Sequence, residues 1–220
     1  MHTSTRQQDT RKFLLDAGIM PVVTVNSMQE AINIAEALYR GGLTAIEVTL
    51  RTEVAMSALM EIKKHVPQMV VGAGTVLTEA QAHAAANAGA DFLVTPGTSP
   101  RLAAAIGAMS IPVVPGAATP SEIIALMEHG FDAVKLFPAA SVGGVNMAKS
   151  LAGPFPNLML CPTGGISEAD VAQYLRLPNV ACVGGSWMVA PDWIKQGQFQ
   201  QVETSAARCR QLIDSINKKL

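Results

Sequence analysis

The feature that most constrains this chain is a regular alternation of short apolar runs with helix signals along its 220 residues. Eight runs have the length and composition of buried strands, at 20–25, 45–50, 69–73, 91–95, 111–114, 132–137, 158–162 and 179–183. Helix starts are marked by Ser or Thr with an acidic residue or Gln three positions later, at Ser27, Thr78, Thr119 and Ser167. Helix ends are marked by glycines that precede the next strand, at Gly41, Gly89 and Gly130. The repeating unit is therefore a strand, a loop, a helix and a glycine.

Apolar strands that alternate with helices predict a parallel sheet covered by helices, because parallel neighbours need a crossover connection. Eight such units predict an α/β protein, a (β/α)8 TIM barrel with an extra N-terminal helix over residues 5–17. The competing architecture is an open doubly wound sheet, which usually carries a glycine-rich phosphate loop after its first strand. The nearest match is at residues 72–77 and has Leu77 in the third glycine position. Since the chain has no linker or shift in composition, we expect a single domain over residues 1–220.

Composition excludes several kinds of partner. Sixteen basic and seventeen acidic residues, with only 5% aromatic residues, provide neither the basic surface nor the stacking groups of a nucleic-acid binder. The uncharged stretch 102–121 is long enough to cross a bilayer, but Pro112, Pro115 and Pro120 interrupt it. The polar N-terminus lacks the apolar segment of a secretory signal. We expect a cytoplasmic protein that binds neither nucleic acid nor membrane.

Cysteines and histidines lie where metal or disulfide chemistry is not expected. Cys161, Cys182 and Cys209 form no CxxC pair, and we interpret them as small core residues. The four histidines lie at the N-terminus or in helical stretches, at His2, His65, His83 and His129. A metal-dependent barrel enzyme would need such ligands at the ends of its strands. We therefore expect chemistry without a metal.

Strands two and six place charged residues where a barrel is normally filled by apolar side chains. Period-two alternation puts Glu47 on the inner face of strand two, with Arg51 at the rim of the same face. The same alternation puts Lys135 on the inner face of strand six. A buried ammonium is costly unless it is paired or uncharged. The pattern thus brings a lysine and a carboxylate into one interior.

An interior lysine has two interpretations. In the structural one, Lys135 forms an ion pair with Glu47 that fills the barrel, or extends its end to water. In the functional one, burial disfavours the ammonium, and the neutral amine attacks a ketone to form a Schiff base. Glu47 would then donate and accept the protons that this reaction moves. Periodicity alone leaves both interpretations open.

Two glycine pairs follow the last two predicted strands, in the loops that build a phosphate site in many barrels. Gly164 and Gly165 follow strand seven, and Gly185 and Ser186 belong to a GGS segment after strand eight. Exposed backbone N–H groups and the positive end of a helix starting near Ser167 would attract an anion. Because tight turns also need glycine, a purely structural role is the alternative.

Seven motifs occur in order along the chain: IEVTLRT at 46–52, GAGTV at 72–76, LVTPG at 93–97, PGAATPSE at 115–122, AVKLFPA at 133–139, CPTGGI at 161–166 and VGGSW at 183–187. Together they resemble the class I 2-keto-3-deoxy-6-phosphogluconate (KDPG) aldolase family, which is bifunctional with 4-hydroxy-2-oxoglutarate (KHG) aldolase. The resemblance extends from about residue 10 to residue 190. It covers most of the chain.

The resemblance implies a homotrimer of (β/α)8 barrels that cleaves KDPG to pyruvate and glyceraldehyde 3-phosphate, and also acts on KHG. It implies that Lys135 is the Schiff-base lysine and Glu47 the general acid/base, with no cofactor and no metal. By the same resemblance, the substrate carboxylate and its pocket involve Arg51, Thr75, Pro96, Phe137 and Thr163. The phosphate-binding residues that it implies are Gly164, Gly165, Gly185 and Ser186.

Two other functions fit a phosphate-binding barrel. One is a phosphosugar isomerase or synthase, which has no use for a nucleophilic lysine. The other is a non-catalytic barrel that senses a phosphorylated ligand and shows no turnover. Neither requires Lys135, Glu47 and Arg51 to converge on one interior, so the aldolase is the leading prediction.

Overall fold

The computed structural model describes residues 5–217, and their side chains over 9–216, so His2 lies outside it. The strands are β1 (Ile19–Val23), β2 (Ala45–Thr49), β3 (Val70–Gly74), β4 (Phe92–Val94), β5 (Val113–Val114), β6 (Gly116–Ala117), β7 (Ala133–Leu136), β8 (Met159–Leu160) and β9 (Val183–Gly185). The helices are α1 (Thr5–Ala17), α2 (Met28–Arg40), α3 (Ala55–His65), α4 (Glu79–Asn87), α5 (Pro100–Gly107), α6 (Pro120–Glu128), α7 (Gly144–Leu151), α8 (Val171–Leu175), α9 (Pro191–Lys195) and α10 (Phe199–Asn217). A 3₁₀ turn, Trp187–Val189, lies between β9 and α9. Within the described range, no helix is both long and apolar enough to span a bilayer.

The fold is α/β, with parallel strands that form a half-barrel. Six strands pair in the order β5-β4-β3-β2-β1-β9, and three more pair in the order β6-β7-β8. Pro115 separates β5 from β6, because proline has no N–H for the ladder, and the predicted strand 111–114 therefore continues as two short pieces. Isolated parallel bridges join Leu160 to Val180 and Thr163 to Gly184, which brings β8 beside β9.

Three of the predicted helix starts have the expected caps. The side chains of Ser27, Thr78 and Thr119 each accept a hydrogen bond from the backbone N–H three residues later. The fourth prediction, a helix beginning near Ser167, is wrong. The Asp170 carboxylate accepts hydrogen bonds from the Ser167 N–H (3.2 Å) and hydroxyl (2.6 Å), and α8 begins only after this turn. An acidic side chain that binds the backbone locally competes with helix formation.

The last predicted strand is displaced along the chain. Its pairing with β1 involves Val183–Gly185 rather than residues 179–183, so Gly184 and Gly185 lie in β9 and not in a loop after it. Packing explains these glycines, because a Cβ atom at Gly184 would overlap the Thr163 side chain. A Cβ atom at Gly185 would overlap the Trp187 ring. Close approach of neighbouring side chains, rather than turn geometry, requires glycine at both positions.

Apolar side chains separate into an inner and an outer set. Ile46, Val48, Val134 and Leu136 belong to the outer cluster that packs against the helices, whereas Ala45 and Ala133 belong to an inner cluster. This division follows the period-two alternation of the strands. Small inner residues leave room for longer side chains on the same faces of β2 and β7.

Helix α1 covers the starting ends of several strands. The rings of Phe13 and Phe92 lie 4.5 Å apart between centroids. Arg11 donates hydrogen bonds to the Asp132 carboxylate at 3.0 Å and to the Asn157 carbonyl at 2.9 Å. The interior is therefore closed by apolar groups at this end, and polar side chains are found toward the carboxyl ends of the strands.

Candidate active site

The centre of the candidate site is an ion pair between β7 and β2. Lys135 Nζ lies 3.1 Å from Glu47 Oε1 and 3.4 Å from Oε2. The two side chains are only 5% and 3% exposed, so each compensates the charge of the other in the buried interior. Both residues point inward, as the alternation along their strands predicts. This geometry supplies an amine and a proton carrier in direct contact.

Strand β3 makes room for the Glu47 carboxylate. A Cβ atom at Gly74, the last residue of β3, would overlap the Glu47 Oε1 and Cγ atoms. The neighbouring strand therefore carries glycine where the acidic side chain turns toward Lys135. The last glycine of the GAG sequence thus has a packing role, and no phosphate loop is needed to explain it.

An aromatic and a hydroxyl side chain lie beside the lysine. The Phe137 ring centroid is 5.4 Å from Lys135 Nζ, within the range of a cation–π contact. Thr163 is buried, and its hydroxyl donates to the Cys161 carbonyl at 3.3 Å. Pro96 lies after β4, half-buried, and its carbonyl carbon packs so close to Gly116 that a Cβ atom there would overlap it.

Arg51 and Thr75 meet at the rim. Arg51 Nε donates to Thr75 Oγ1 at 3.1 Å, and no carboxylate of the described residues pairs with the guanidinium. The hydrogen bond to Thr75 therefore orients the Arg51 guanidinium, and the positive charge of the guanidinium has no carboxylate partner among the described residues. Thr75 has a φ of +58°, the only positive value at a non-glycine residue in the described part of the chain. A β-branched residue in this conformation is strained, and strain of this kind is concentrated at functional sites.

The two predicted phosphate segments lie next to each other. The bridge between Thr163 and Gly184 places Gly164 and Gly165 beside Gly185 and Ser186. Gly164 and Gly165 have φ values of +99° and +72°, which glycine adopts without strain. Because α8 begins four residues beyond Ser167, this loop does not have the helix terminus that the sequence predicts.

A family model described as KDPG and KHG aldolase matches residues 11–205. The chain belongs to the KDPG and KHG aldolase family. A KHG/KDPG aldolase of Escherichia coli (strain K12) is 43% identical over 190 residues, which are 86% of this chain and 89% of that protein. A 2-dehydro-3-deoxy-phosphogluconate aldolase of Pseudomonas aeruginosa is 43% identical over 188 residues, 86% of each chain.

A solved structure shows the same family relation in three dimensions. The KDPG aldolase of Legionella pneumophila, with pyruvate captured at low pH as a covalent carbinolamine intermediate, is 40% identical to this chain. The two structures superimpose with a TM-score of 0.88, and the match covers 90% of this chain and 97% of the Legionella chain.

Sequence reasoning missed two features of this aldolase-family chain. The first is a cavity of about 280 Å³ next to Arg51 and Ser186, which is also lined by Lys195 of α9. Its residues are far apart in sequence, so no local pattern indicates it. The second is that two free thiols, Cys161 and Cys182, belong to one inner cluster, where the sequence indicates only separate core residues.

The two thiols have opposite pKa shifts. A hydrogen bond from the Cys182 thiol is the main cause that lowers the pKa of Cys161, and the Lys135 charge acts in the same direction, against the effect of burial. Burial and the contact with Cys161 raise the pKa of Cys182 well above its ordinary value. The Glu47 charge raises the pKa of Cys161, so the two members of the ion pair act on this thiol in opposite directions.

The described histidines take no part in this site. His65, His83 and His129 are exposed and belong to or follow helices. Over residues 5–217, no cluster of three His, Cys, Asp or Glu side chains has a geometry that could hold a metal ion.

Proposed function

We propose that this chain is a class I aldolase that cleaves KDPG to pyruvate and glyceraldehyde 3-phosphate through a Schiff base at Lys135. The same enzyme cleaves KHG to pyruvate and glyoxylate. The observation that carries this proposal is the buried contact of 3.1 Å between Lys135 and Glu47 in a member of this family. The covalent carbinolamine of the Legionella relative and the name of the Escherichia coli relative support it.

In the first half of the reaction, Glu47 accepts a proton from Lys135, and the neutral amine attacks C2 of the keto acid. Proton transfer between the adduct and Glu47 gives a carbinolamine. Glu47 then protonates the C2 hydroxyl, which leaves as water, and an iminium ion remains. Because Glu47 lies within hydrogen-bond distance of the amine, it can serve each of these transfers in turn.

In the second half, the iminium ion is the electron sink. Glu47, directly or through a water molecule, removes the proton of the C4 hydroxyl, and the C3–C4 bond breaks. Its electron pair forms an enamine, and C4 leaves as the aldehyde of glyceraldehyde 3-phosphate. Protonation of C3 and hydrolysis then release pyruvate and the free lysine. The cationic nitrogen does what a metal ion does in other aldolases, so the proposed reaction needs neither metal nor cofactor.

Arg51 binds the C1 carboxylate in this proposal, since a guanidinium can bind a carboxylate through two parallel hydrogen bonds. Thr75 orients it, and Pro96, Phe137 and Thr163 line the pocket of the keto acid. The phosphate binds beyond them, at Gly164, Gly165, Gly185 and Ser186. The unneutralised guanidinium and the adjacency of the two glycine segments support these roles.

The architectural part of the proposal is one closed (β/α)8 barrel over residues 1–220, with α1 across one end. A backbone hydrogen bond from the Gly184 N–H to the Pro162 carbonyl (2.9 Å) supports closure, because it connects β9 of the six-stranded set to the segment after β8. The resemblance to the family supports a homotrimer. A phosphorylated substrate, which does not cross membranes, supports a cytoplasmic location.

The test is borohydride trapping. With pyruvate and borohydride, we expect one reduced pyruvoyl adduct at Lys135 by peptide mass spectrometry. Lys135→Met should give no adduct and no cleavage, whereas Lys149→Met, which removes an exposed lysine of α7, should behave as wild type. Glu47→Gln should still form the adduct slowly, with turnover lower by about 10²- to 10⁴-fold.

Three results would contradict the proposal. One is an adduct on another lysine, the second is cleavage by Lys135→Met, and the third is unchanged turnover in Glu47→Gln. A coupled assay for released pyruvate also separates an aldolase from a phosphosugar isomerase or a ligand sensor, neither of which produces it.

A further inference from the structure

The phosphate of the proposed substrate needs positive charge around it. The sequence predicts one source of that charge, the positive end of a helix beginning near Ser167, but the structure has no helix beginning there. The Gly164–Gly165 loop is followed by the turn that Asp170 closes, not by a helix terminus. Asp170 also brings a negative charge toward this loop, since hydrogen bonds from Ser167 lower its pKa and keep it ionised. Backbone N–H groups and the Ser186 hydroxyl would then hold a dianion there without a positive charge.

The cavity next to Ser186 offers another source of charge. It has a volume of about 280 Å³ and lies between the segment that joins β1 to α2 and the segment that follows β9. Arg51 and Ser186, which are two residues of the candidate site, belong to its lining. Lys195, at the end of α9, lines the same cavity.

The charges around this cavity are not balanced. Lys195 has no carboxylate within ion-pair distance among the residues described, and the Ser186 hydroxyl has no hydrogen-bond partner there. The one carboxylate in the lining, Glu30, already accepts hydrogen bonds from the Asn26 backbone N–H at 3.0 Å and side-chain amide at 3.3 Å. The cavity therefore presents an uncompensated ammonium and a free hydroxyl, which suit an anion.

We propose that Lys195 is a specificity-determining residue, which binds the phosphate of KDPG together with Ser186. This inference rests on the proposed function and adds a residue to it. The phosphate of KDPG is attached two carbons beyond the cleaved hydroxyl carbon, whereas the distal carboxylate of KHG is attached to that carbon itself. A side chain placed to meet the phosphate is therefore too distant for the carboxylate of KHG. Lys195 distinguishes the two substrates, while Lys135 and Glu47 serve both.

The experiment compares both substrates in Lys195→Met and in the control Lys149→Met, which removes the same charge from an exposed position outside the cavity. For Lys195→Met we expect kcat/KM for KDPG to fall about tenfold, mainly through KM, with KHG cleavage changed less than about twofold. Inorganic phosphate should inhibit KHG cleavage by wild type, and about tenfold more weakly in the variant. Lys195→Arg, which retains the charge, should keep most of the KDPG activity.

Unchanged KDPG kinetics in Lys195→Met would overturn the inference, and so would equal losses with both substrates. Borohydride trapping of pyruvate does not involve the phosphate. If trapping at Lys135 succeeds in a variant with unchanged KDPG kinetics, the role of Lys195 fails while the proposed function stands. If trapping fails in wild type, the proposed function fails.

Discussion

Replacing Thr75 by glycine should stabilise the protein and impair substrate binding at the same time. Thr75 adopts a φ of +58°, where a β-branched residue is strained by about 1–3 kcal/mol. Glycine removes this strain but adds flexibility to the unfolded chain, which costs about 0.5–1 kcal/mol. The net gain is about 1 kcal/mol, which for a chain of 220 residues raises Tm by about 2–4 °C.

The same change removes the hydroxyl that accepts the hydrogen bond from Arg51 Nε at 3.1 Å. The guanidinium is exposed, so without this partner it samples more orientations and pays more entropy when it binds the substrate carboxylate. We expect KM for KDPG to rise about three- to tenfold, with a smaller effect on kcat. Thermal melts and steady-state pyruvate release measure the two effects in one preparation.

Two further variants separate strain from hydrogen bonding. Thr75→Ser keeps the hydroxyl and the unfavourable φ, so its KM should resemble that of wild type, without the gain in Tm that glycine gives. Thr75→Ala keeps an unfavourable φ and loses the hydroxyl, so its KM should rise without that gain. The reasoning is refuted if Thr75→Gly melts below wild type, or if Thr75→Ser raises KM as much as Thr75→Gly.

Two other predictions concern Gly74 and Cys209. In Gly74→Ala the new methyl group would overlap the Glu47 carboxylate, so turnover should fall about 10²-fold or more, and a variant with wild-type turnover would show that this carboxylate need not stay in place. Burial raises the pKa of the Cys209 thiol to about 11, from the ordinary value of 9.0. The unfolded chain therefore loses this proton first, and the stability that the neutral thiol contributes is complete below pH 9 and is lost as the pH rises toward about 11. Denaturant unfolding should lose about 2–3 kcal/mol less over this interval in Cys209→Ala than in wild type, and equal losses would contradict this cause.

Much of the site could be predicted from local pattern. Period-two alternation on β2 and β7 was enough to direct Glu47 and Lys135 into one interior, because each strand has an apolar outer face that fixes which side is which. The helix starts at Ser27, Thr78 and Thr119 were equally accessible, since a capping side chain acts within three residues.

The errors arose where two structures share one pattern. A Ser followed by Asp three residues later fits a helix cap, but at Ser167 the Asp170 carboxylate instead closes a turn. A pair of glycines fits a turn, but Gly184 and Gly185 lie in a strand, where neighbouring side chains exclude a Cβ atom. In each case a tertiary contact determines which of the two local structures forms, and this contact cannot be read from a single sequence.

Local sequence patterns do not indicate the residues at the rim of the site. Only the resemblance to a family indicated Thr75, because neither its strained φ nor its bond to Arg51 follows from residue type. The cavity at Lys195 joins segments that are more than a hundred residues apart. Patterns with a period of two or 3.6 residues cannot show such a meeting.

The amine and its acid partner belong to separate hydrogen-bonded sets of strands, since Lys135 lies in the group of three and Glu47 in the group of six. Their contact therefore spans a junction where the ladder is interrupted at Pro115 and continues beyond β8 only through isolated bridges. If the two sets of strands separate at this junction, Lys135 moves away from Glu47 while every helix remains intact. When the protein is damaged by heat or by chemical treatment, turnover should therefore be lost before circular dichroism changes.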